Sequence, residues 1–122
     1  MLVHPFPHHT PKSADEVLRL LTLLVPQSAN VMGRPAWKKA VRTALMVIQG
    51  AKCARCGWHF PSPLLLDHHH LDHTTKTATV GQLIQDRRSL QTIATEAALC
   101  ATVCPTCHRI IHSFPQGGPT HD

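Results

Sequence analysis

The sequence predicts a small α+β fold that contains zinc and begins with helices. Three observations predict it: helical periodicity up to residue 50, two Cys-x-x-Cys pairs beyond it, and short irregular segments between those pairs. A chain of 122 residues suffices for one hydrophobic core. Because aromatic residues make up only 4% of the chain, we expect a metal to help hold the fold together.

The chain divides into four parts. Residues 1–12 combine prolines and histidines without periodicity, which predicts a flexible arm. Residues 13–50 form a helical extension, residues 51–114 form the zinc-containing domain, and residues 115–122, PQGGPTHD, form a disordered tail.

Two helices are expected in the extension. Ser13 followed by Glu16 is a capping box, and the helix that it opens should end at Pro26. A second helix fits Pro35–Gln49, with proline in its first turn and Gly50 after its end.

The charge of the chain favours an anionic partner. The formal net charge is +5, and nucleic acid is the first candidate for such a chain. Lys38 and Arg42 lie four residues apart on the second helix, where two like charges cost roughly a few tenths of a kcal/mol. A bound phosphate would relieve that repulsion, and a merely solvated helix face is the alternative.

Shorter elements follow the helical extension. The sequence predicts a brief apolar strand at Leu64–Leu66, one helical turn at Gly81–Asp86 and a helix over Leu90–Leu99. A last helix should begin near Pro105.

The two cysteine pairs predict a structural zinc site. They are separated by 47 residues, and each pair supplies one edge of a tetrahedron of thiolates. A redox or disulfide role and unrelated thiols are the alternatives, but no thioredoxin-like pattern surrounds either pair. The fifth cysteine, Cys100, is expected to be a buried thiol without a metal at a helix end. The four expected ligands are Cys53, Cys56, Cys104 and Cys107.

Histidines from two places should converge once the zinc site forms. The stretch LLLDHHHLDH lies between the cysteine pairs, and His108 and His112 lie one turn apart on the last helix. Imidazoles that bind a divalent ion with open positions could hold a phosphate oxygen, while a further imidazole takes a proton from water. This combination outlines a metal-assisted phosphodiesterase.

From Cys53 to His112 the sequence resembles the zinc-containing HNH endonucleases of phages and bacteria. The resemblance rests on Cys-x-x-Cys-Gly, the segment from Leu66 to Asp72, and Cys-x-x-Cys-His-Arg-x-x-His, in that order, with Lys76, Glu96 and Cys100 between them. It implies a ββα-metal domain in which a two-stranded hairpin and a helix hold one ion, the hairpin enters the minor groove, and the zinc knuckles clamp its base.

The resemblance also implies roles for single residues. His70 would be the general base that activates water, and His69 would be a ligand of the catalytic ion. His108 and His112 would complete that ion site, and Asp67 would assist the metal. With His70, both His69 and His112 count among the expected catalytic residues.

Further roles follow from the same resemblance. Lys76 and Arg109 would contact phosphates. Lys38 and Arg42 lie outside the resemblance, and their expected role in binding nucleic acid rests on the charge of the second helix alone. His68 stands where relatives often carry an apolar residue and would be accessory.

One position departs from the family. The asparagine that usually lies five residues before the third zinc cysteine is replaced by Leu99, and a related subfamily's alternative asparagine is replaced by Thr106. In the family this asparagine tethers the loop that orients the base. Glu96 or Gln91 could take over that function.

The resulting expectation is an endonuclease that cleaves double-stranded DNA in a bacterial or phage-infected cytoplasm. Magnesium or manganese is the expected catalytic ion, and nickel, cobalt or zinc would also suit the histidines. Activity should fall below about pH 6, because the histidines must be neutral. The alternatives are a zinc-stabilised DNA-binding module without chemistry and a metal-scavenging histidine cluster. The N-terminal helices could also mediate a dimer or bind an assembly partner, and no membrane segment is expected.

Overall fold

Five helices and one two-stranded antiparallel sheet form the computed structural model, which describes residues 6–31, 33–59 and 66–113. The fold is therefore α+β, as the sequence predicts. The predicted tail at 115–122 and the first five residues of the predicted arm lie outside the described residues. The elements are α1 Ala14–Leu24, α2 Gly33–Ile48, β1 Asp67–His70, α3 Val80–Gln85, α4 Leu90–Ala97, β2 Cys100–Val103 and α5 Pro105–Ser113.

The helix starts confirm the sequence signals. The Ser13 hydroxyl accepts a hydrogen bond from the backbone N–H of Glu16 at 3.2 Å, which satisfies one of the free donors at the start of α1. Thr79 and Ser89 cap α3 and α4 in the same way. Helix α2 begins two residues before the expected Pro35.

Three consecutive histidines, His68 to His70, form most of strand β1. In β1, His68 pairs with Thr102 and His70 pairs with Cys100 of β2. The strand expected at Leu64–Leu66 is tested only at Leu66, which is buried and lies just before β1; the two preceding leucines lie outside the described residues.

The helix predicted over Leu90–Leu99 is too long. Helix α4 ends at Ala97, and the Leu99 carbonyl accepts a hydrogen bond from the N–H of Leu71 at 3.0 Å, which extends the strand pairing by one step. Cys100 therefore begins a strand and does not end a helix. The short-range periodicity of α4 could not reveal this long-range pairing.

Two hydrophobic clusters flank the sheet. The first joins the N-terminal helices to α3 and α4, so the segment between the two strands packs on the helical extension. The second lies around the cysteine pairs, and it includes Phe6, Met46, Leu66, Ala101, Val103 and Ile111.

The described part of the expected flexible arm lies against the first cysteine pair. Phe6 is buried in the second cluster, and the N–H of His8 donates to the Ala54 carbonyl at 2.9 Å. The His8 ring lies so close to Gly57 that a Cβ there would meet it at 2.8 Å, and Gly57 has a positive φ of 80°. Gly57 thus allows both the turn and the approach of the arm.

Candidate functional site

Four cysteine thiols lie together, three of them from buried members of the second cluster and one, that of Cys56, exposed. Cys53 and Cys56 flank a turn in which the N–H of Gly57 donates to the Cys53 carbonyl at 2.8 Å. Cys104 precedes α5, and Cys107 lies in its first turn. The four sulfur atoms lie within 4.8 Å of one another, so they could hold a metal ion. In a tetrahedral zinc site the sulfur atoms lie about 3.8 Å apart, so a small contraction completes the fit.

The thiols differ in how readily they ionise. Burial opposes ionisation of Cys53, but hydrogen bonds from the backbone N–H groups of Cys56, Cys104 and Arg55 outweigh it and lower its pKa to about 7. Burial, aided by the neighbouring thiols, raises the pKa of Cys107 to about 12, against the opposing effect of Arg55. A bound cation would favour the thiolate form of all four.

The fifth cysteine stands apart from this group. Cys100 is fully buried, and its thiol donates to the Glu96 carbonyl at 3.5 Å. The expectation of a buried thiol outside the metal group agrees with this position.

Three histidines form a second candidate metal group. His69 lies on β1, while the Nε2 atoms of His108 and His112 on α5 lie 3.0 Å apart. The His69 ring centroid lies 5.3 Å from that of His108 and 5.5 Å from that of His112. One nitrogen of each ring lies within 4.8 Å of the others, so the group could hold a metal ion. Tetrahedral zinc with imidazole ligands places nitrogens about 3.3 Å apart, and three ligands leave one position open.

Asp67 lies beside this group and orients one of its members. Its carboxylate accepts a hydrogen bond from Nδ1 of His108 at 3.3 Å, slightly longer than a typical bond. This contact leaves the lone pair of a neutral His108 on Nε2, the atom that approaches His112. Asp67 therefore supports a ligand and is not itself one of the three converging donors.

His70 projects to the other face of β1, as successive residues of a strand do. Its Nε2 donates to Oε2 of Glu96 at 2.6 Å, and both side chains are buried, with 3% and 4% of their residue surface exposed. Burial opposes ionisation of Glu96, but hydrogen bonds from Thr77 and His70 outweigh it and lower the pKa of that carboxyl. Glu96 is thus the carboxylate that accepts, and a neutral His70 carries its lone pair on Nδ1.

His68 is held by the end of the second helix. Its Nε2 lies 2.8 Å from Oε1 of Gln49, whose amide group donates to the carbonyls of Ala97 and Cys100 at 3.4 and 3.3 Å. Because the amide donates elsewhere, His68 is the donor in this pair. Burial, assisted by the charge of Arg42, lowers the pKa of His68 to about 4.

A cavity of about 380 Å³ connects these groups. His68 and His70 line it from β1, Arg42 lines it from α2, and Asp67 and His108 line it beside the three-histidine group. The candidate base His70 and one member of the candidate metal group, His108, therefore line the same cavity, whereas His69 and His112 are not among its lining residues.

The expected phosphate contacts are only partly brought together. Arg42 lines the cavity, and Lys38 lines a neighbouring depression with it. Lys38 also donates to the side-chain carbonyl of Gln85. Lys76 and Arg109 are not among the residues that line the cavity, and Arg109 is exposed on α5.

Several contributors left no signal in the sequence. The side chains of Gln49, Thr77 and Arg55 each contact a partner distant in sequence, and no motif marks those side chains for that role. The Phe6 ring contacts the His69 ring in a tilted arrangement, with 5.6 Å between the centroids, although Phe6 lies among prolines without periodicity. Contacts in three dimensions, and not spacing, identify these residues.

No protein-family model matches the chain, and no curated protein or solved structure matches it either. Within residues 6–31, 33–59 and 66–113, no helix combines the length and the apolar character that a membrane crossing requires.

Proposed function

We propose that the protein is a metal-dependent endonuclease of the HNH type that hydrolyses phosphodiester bonds in double-stranded DNA. The observation that carries the proposal is the convergence of His69, His108 and His112 beside a cavity that also contains His70. The order of β1, β2 and α5 that presents them is the order that a ββα-metal domain would have. In this proposal the four cysteines bind a structural zinc ion.

His70 acts as the general base in this proposal. Its Nδ1 would accept a proton from water, while Nε2 remains hydrogen-bonded to Glu96. The Glu96 carboxylate would stabilise the positive imidazolium that forms, as a buried carboxylate does for other catalytic histidines. Thr77 holds that carboxylate in place through its hydroxyl and its N–H.

The phosphate would lie at the mouth of the cavity, between the two groups of histidines. Arg42 offers a guanidinium that can bind the non-bridging oxygens. When bound by the three imidazoles, a divalent ion would supply positive charge for the departing oxygen. Of the three imidazoles, the one that lines the cavity is His108, which Asp67 orients.

The departure at Leu99 has a structural explanation within this proposal. The loop that follows His70 is tethered by the backbone hydrogen bond from Leu71 to Leu99, which needs no asparagine side chain. Glu96 orients the His70 ring directly. Together they support the idea that Glu96 takes over part of the missing residue's role.

A DNA-binding module without chemistry is the second candidate function. It is favoured by the burial of His70, whose Nδ1 atom is shielded from bulk solvent. The two candidates differ in whether DNA is cut once it is bound.

Plasmid cleavage tests the proposal. Zinc-loaded wild-type protein, His112→Ala and His73→Ala would be incubated with supercoiled plasmid and magnesium, manganese or nickel, with EDTA as a control. His73 is a matched control because it is an exposed histidine outside the three-histidine group. We expect wild type and His73→Ala to nick the plasmid only with an added ion, and His112→Ala to be inactive. Cleavage by His112→Ala would contradict the metal role, and binding without cleavage by any of the proteins would favour the module.

A further inference from the structure

The first turns of α2 carry a row of cations that leads to the histidine cavity. Arg34, Lys38 and Arg42 lie at intervals of four residues, so they share one face of the helix. At a rise of about 1.5 Å per residue, their backbone positions are spaced by about 6 Å and span about 12 Å. We name these three residues the α2 basic row.

The row lines a concave surface. A depression of about 330 Å³ is lined by the three residues of the row, by Lys39 and by Pro35. Arg42 lines both this depression and the cavity that contains His68 and His70. The two concave surfaces therefore meet at one guanidinium.

The positive charge of the row is not neutralised within the described part of the chain. None of Arg34, Lys38, Lys39 and Arg42 forms an ion pair with a carboxylate there, and the partner of Lys38 is the neutral amide of Gln85. The first turn of α2 contains no acidic residue and does contain Arg34. A cation at a helix N-terminus and like charges four residues apart are both unfavourable. A polyanion would relieve both effects.

We propose that the α2 basic row is a second contact surface for duplex DNA, which guides one phosphate backbone from the start of α2 into the histidine cavity. This inference rests on the proposed function and identifies where the substrate lies beyond the cleaved phosphate. A repeated row fits a ligand with regularly repeated negative charges better than it fits a single free anion. Among the described residues, the exposed large apolar side chains all lie outside the depression, so the surface does not resemble one that enters a lipid layer.

The salt dependence of DNA binding tests this inference. The affinity for a short fluorescent duplex would be measured by anisotropy between about 50 and 200 mM salt, where each phosphate contact contributes about 0.9 to the logarithmic slope. All proteins would carry His70→Gln to prevent cleavage. The test variant is R34Q/K38Q/R42Q, and the matched control is K12Q/R19Q/R88Q, which removes the same total charge from residues that line neither concave surface.

We expect the test variant to lower the slope by about 2 to 3 units, which reduces the loss of affinity across that salt range by roughly 40-fold for three contacts. The control should change the slope by less than about 0.9, the contribution of one phosphate contact. The melting temperature of the test variant at low salt should not fall, since it removes unfavourable charge pairs. This measurement distinguishes a lost contact from a misfolded protein.

Each other outcome overturns the inference. Equal slopes for the two variants would show that only net charge matters. If the protein does not bind the duplex at all, the proposed contact surface is refuted. Tighter binding to a single-stranded oligonucleotide than to the duplex would contradict the duplex geometry. The proposed function fails on a different result. If substitution of the row lowers the slope but protein with an intact His70 never cuts plasmid, the binding surface is supported and the nuclease proposal is refuted.

Discussion

Replacing Glu96 by alanine should strongly destabilise the fold because it breaks a buried pair at the centre of the candidate site. The Glu96 carboxylate accepts hydrogen bonds from His70 Nε2 at 2.6 Å, from the Thr77 hydroxyl at 2.6 Å and from the Thr77 N–H at 3.2 Å. The exposed Thr77 can turn to water, whereas the His70 nitrogen is left buried without its acceptor.

The expected size of the effect follows from these contacts. A buried polar group that loses its hydrogen-bond partner costs about 1–3 kcal/mol, towards the upper end where the lost partner was charged. We therefore expect Glu96→Ala to lower the free energy of unfolding by about 3 kcal/mol. Glu96→Gln keeps an acceptor for Thr77 and should cost about half as much.

This stabilisation should also depend on pH. The folded-state pKa of Glu96 is lowered from its ordinary 4.5, so its contribution is complete at neutral pH and is lost as the pH falls through the folded pKa. Glu96→Ala should therefore flatten the acid side of the stability curve.

Urea unfolding of the zinc-loaded protein at neutral pH, followed by the fluorescence of the buried Trp37, measures the difference. The matched control is Glu16→Gln on the exposed face of α1, which should change the free energy of unfolding by less than about 0.5 kcal/mol. A change of that small size for Glu96→Ala would refute the buried pair.

Three other changes probe the remaining contacts. Cys53→Ser should abolish stoichiometric zinc binding and unfold the second hydrophobic cluster, while Cys100→Ser should retain the zinc. Equal zinc content in the two variants, measured by atomic absorption, would contradict the four-thiol site. Phe6→Ala should cost about 3 kcal/mol in urea unfolding because it empties a buried position against His69, and an unchanged midpoint would show that the arm is not docked. Gln49→Leu should cost about 1–2 kcal/mol by freeing His68 and two carbonyls, and no loss on calorimetry would contradict that bridge.

The sequence predicted most where chemistry needs a fixed local spacing. Ser13 with Glu16, the Cys-x-x-Cys pairs and the turn between His108 and His112 are all patterns that lie within five residues, and the structure brings their members together. The two helices of the first half, α1 and α2, and the short α3 were also predicted from helical periodicity and helix-start signals.

Long-range pairing was beyond the sequence. The sequence places Cys100 at the end of a helix, whereas in the structure Cys100–Val103 is a strand that pairs with β1. Helices α3 and α4, which lie between the two strands in sequence, pack in the first hydrophobic cluster with the N-terminal helices. Gln49 reaches His68 only because α2 ends beside the sheet. Such contacts depend on the tertiary fold, and a single residue that makes one leaves no periodic pattern in the sequence.

The most direct test of the central claim compares the cleavage rate with the binding affinity of a His70→Gln variant. Glutamine can still donate to Glu96, so the fold should be retained, but it cannot act as the base. With protein in excess over a labelled duplex, we predict that the cleavage rate falls by about 100-fold or more while the dissociation constant is unchanged. A variant that cuts within about tenfold of the wild-type rate would contradict the role of His70 as general base.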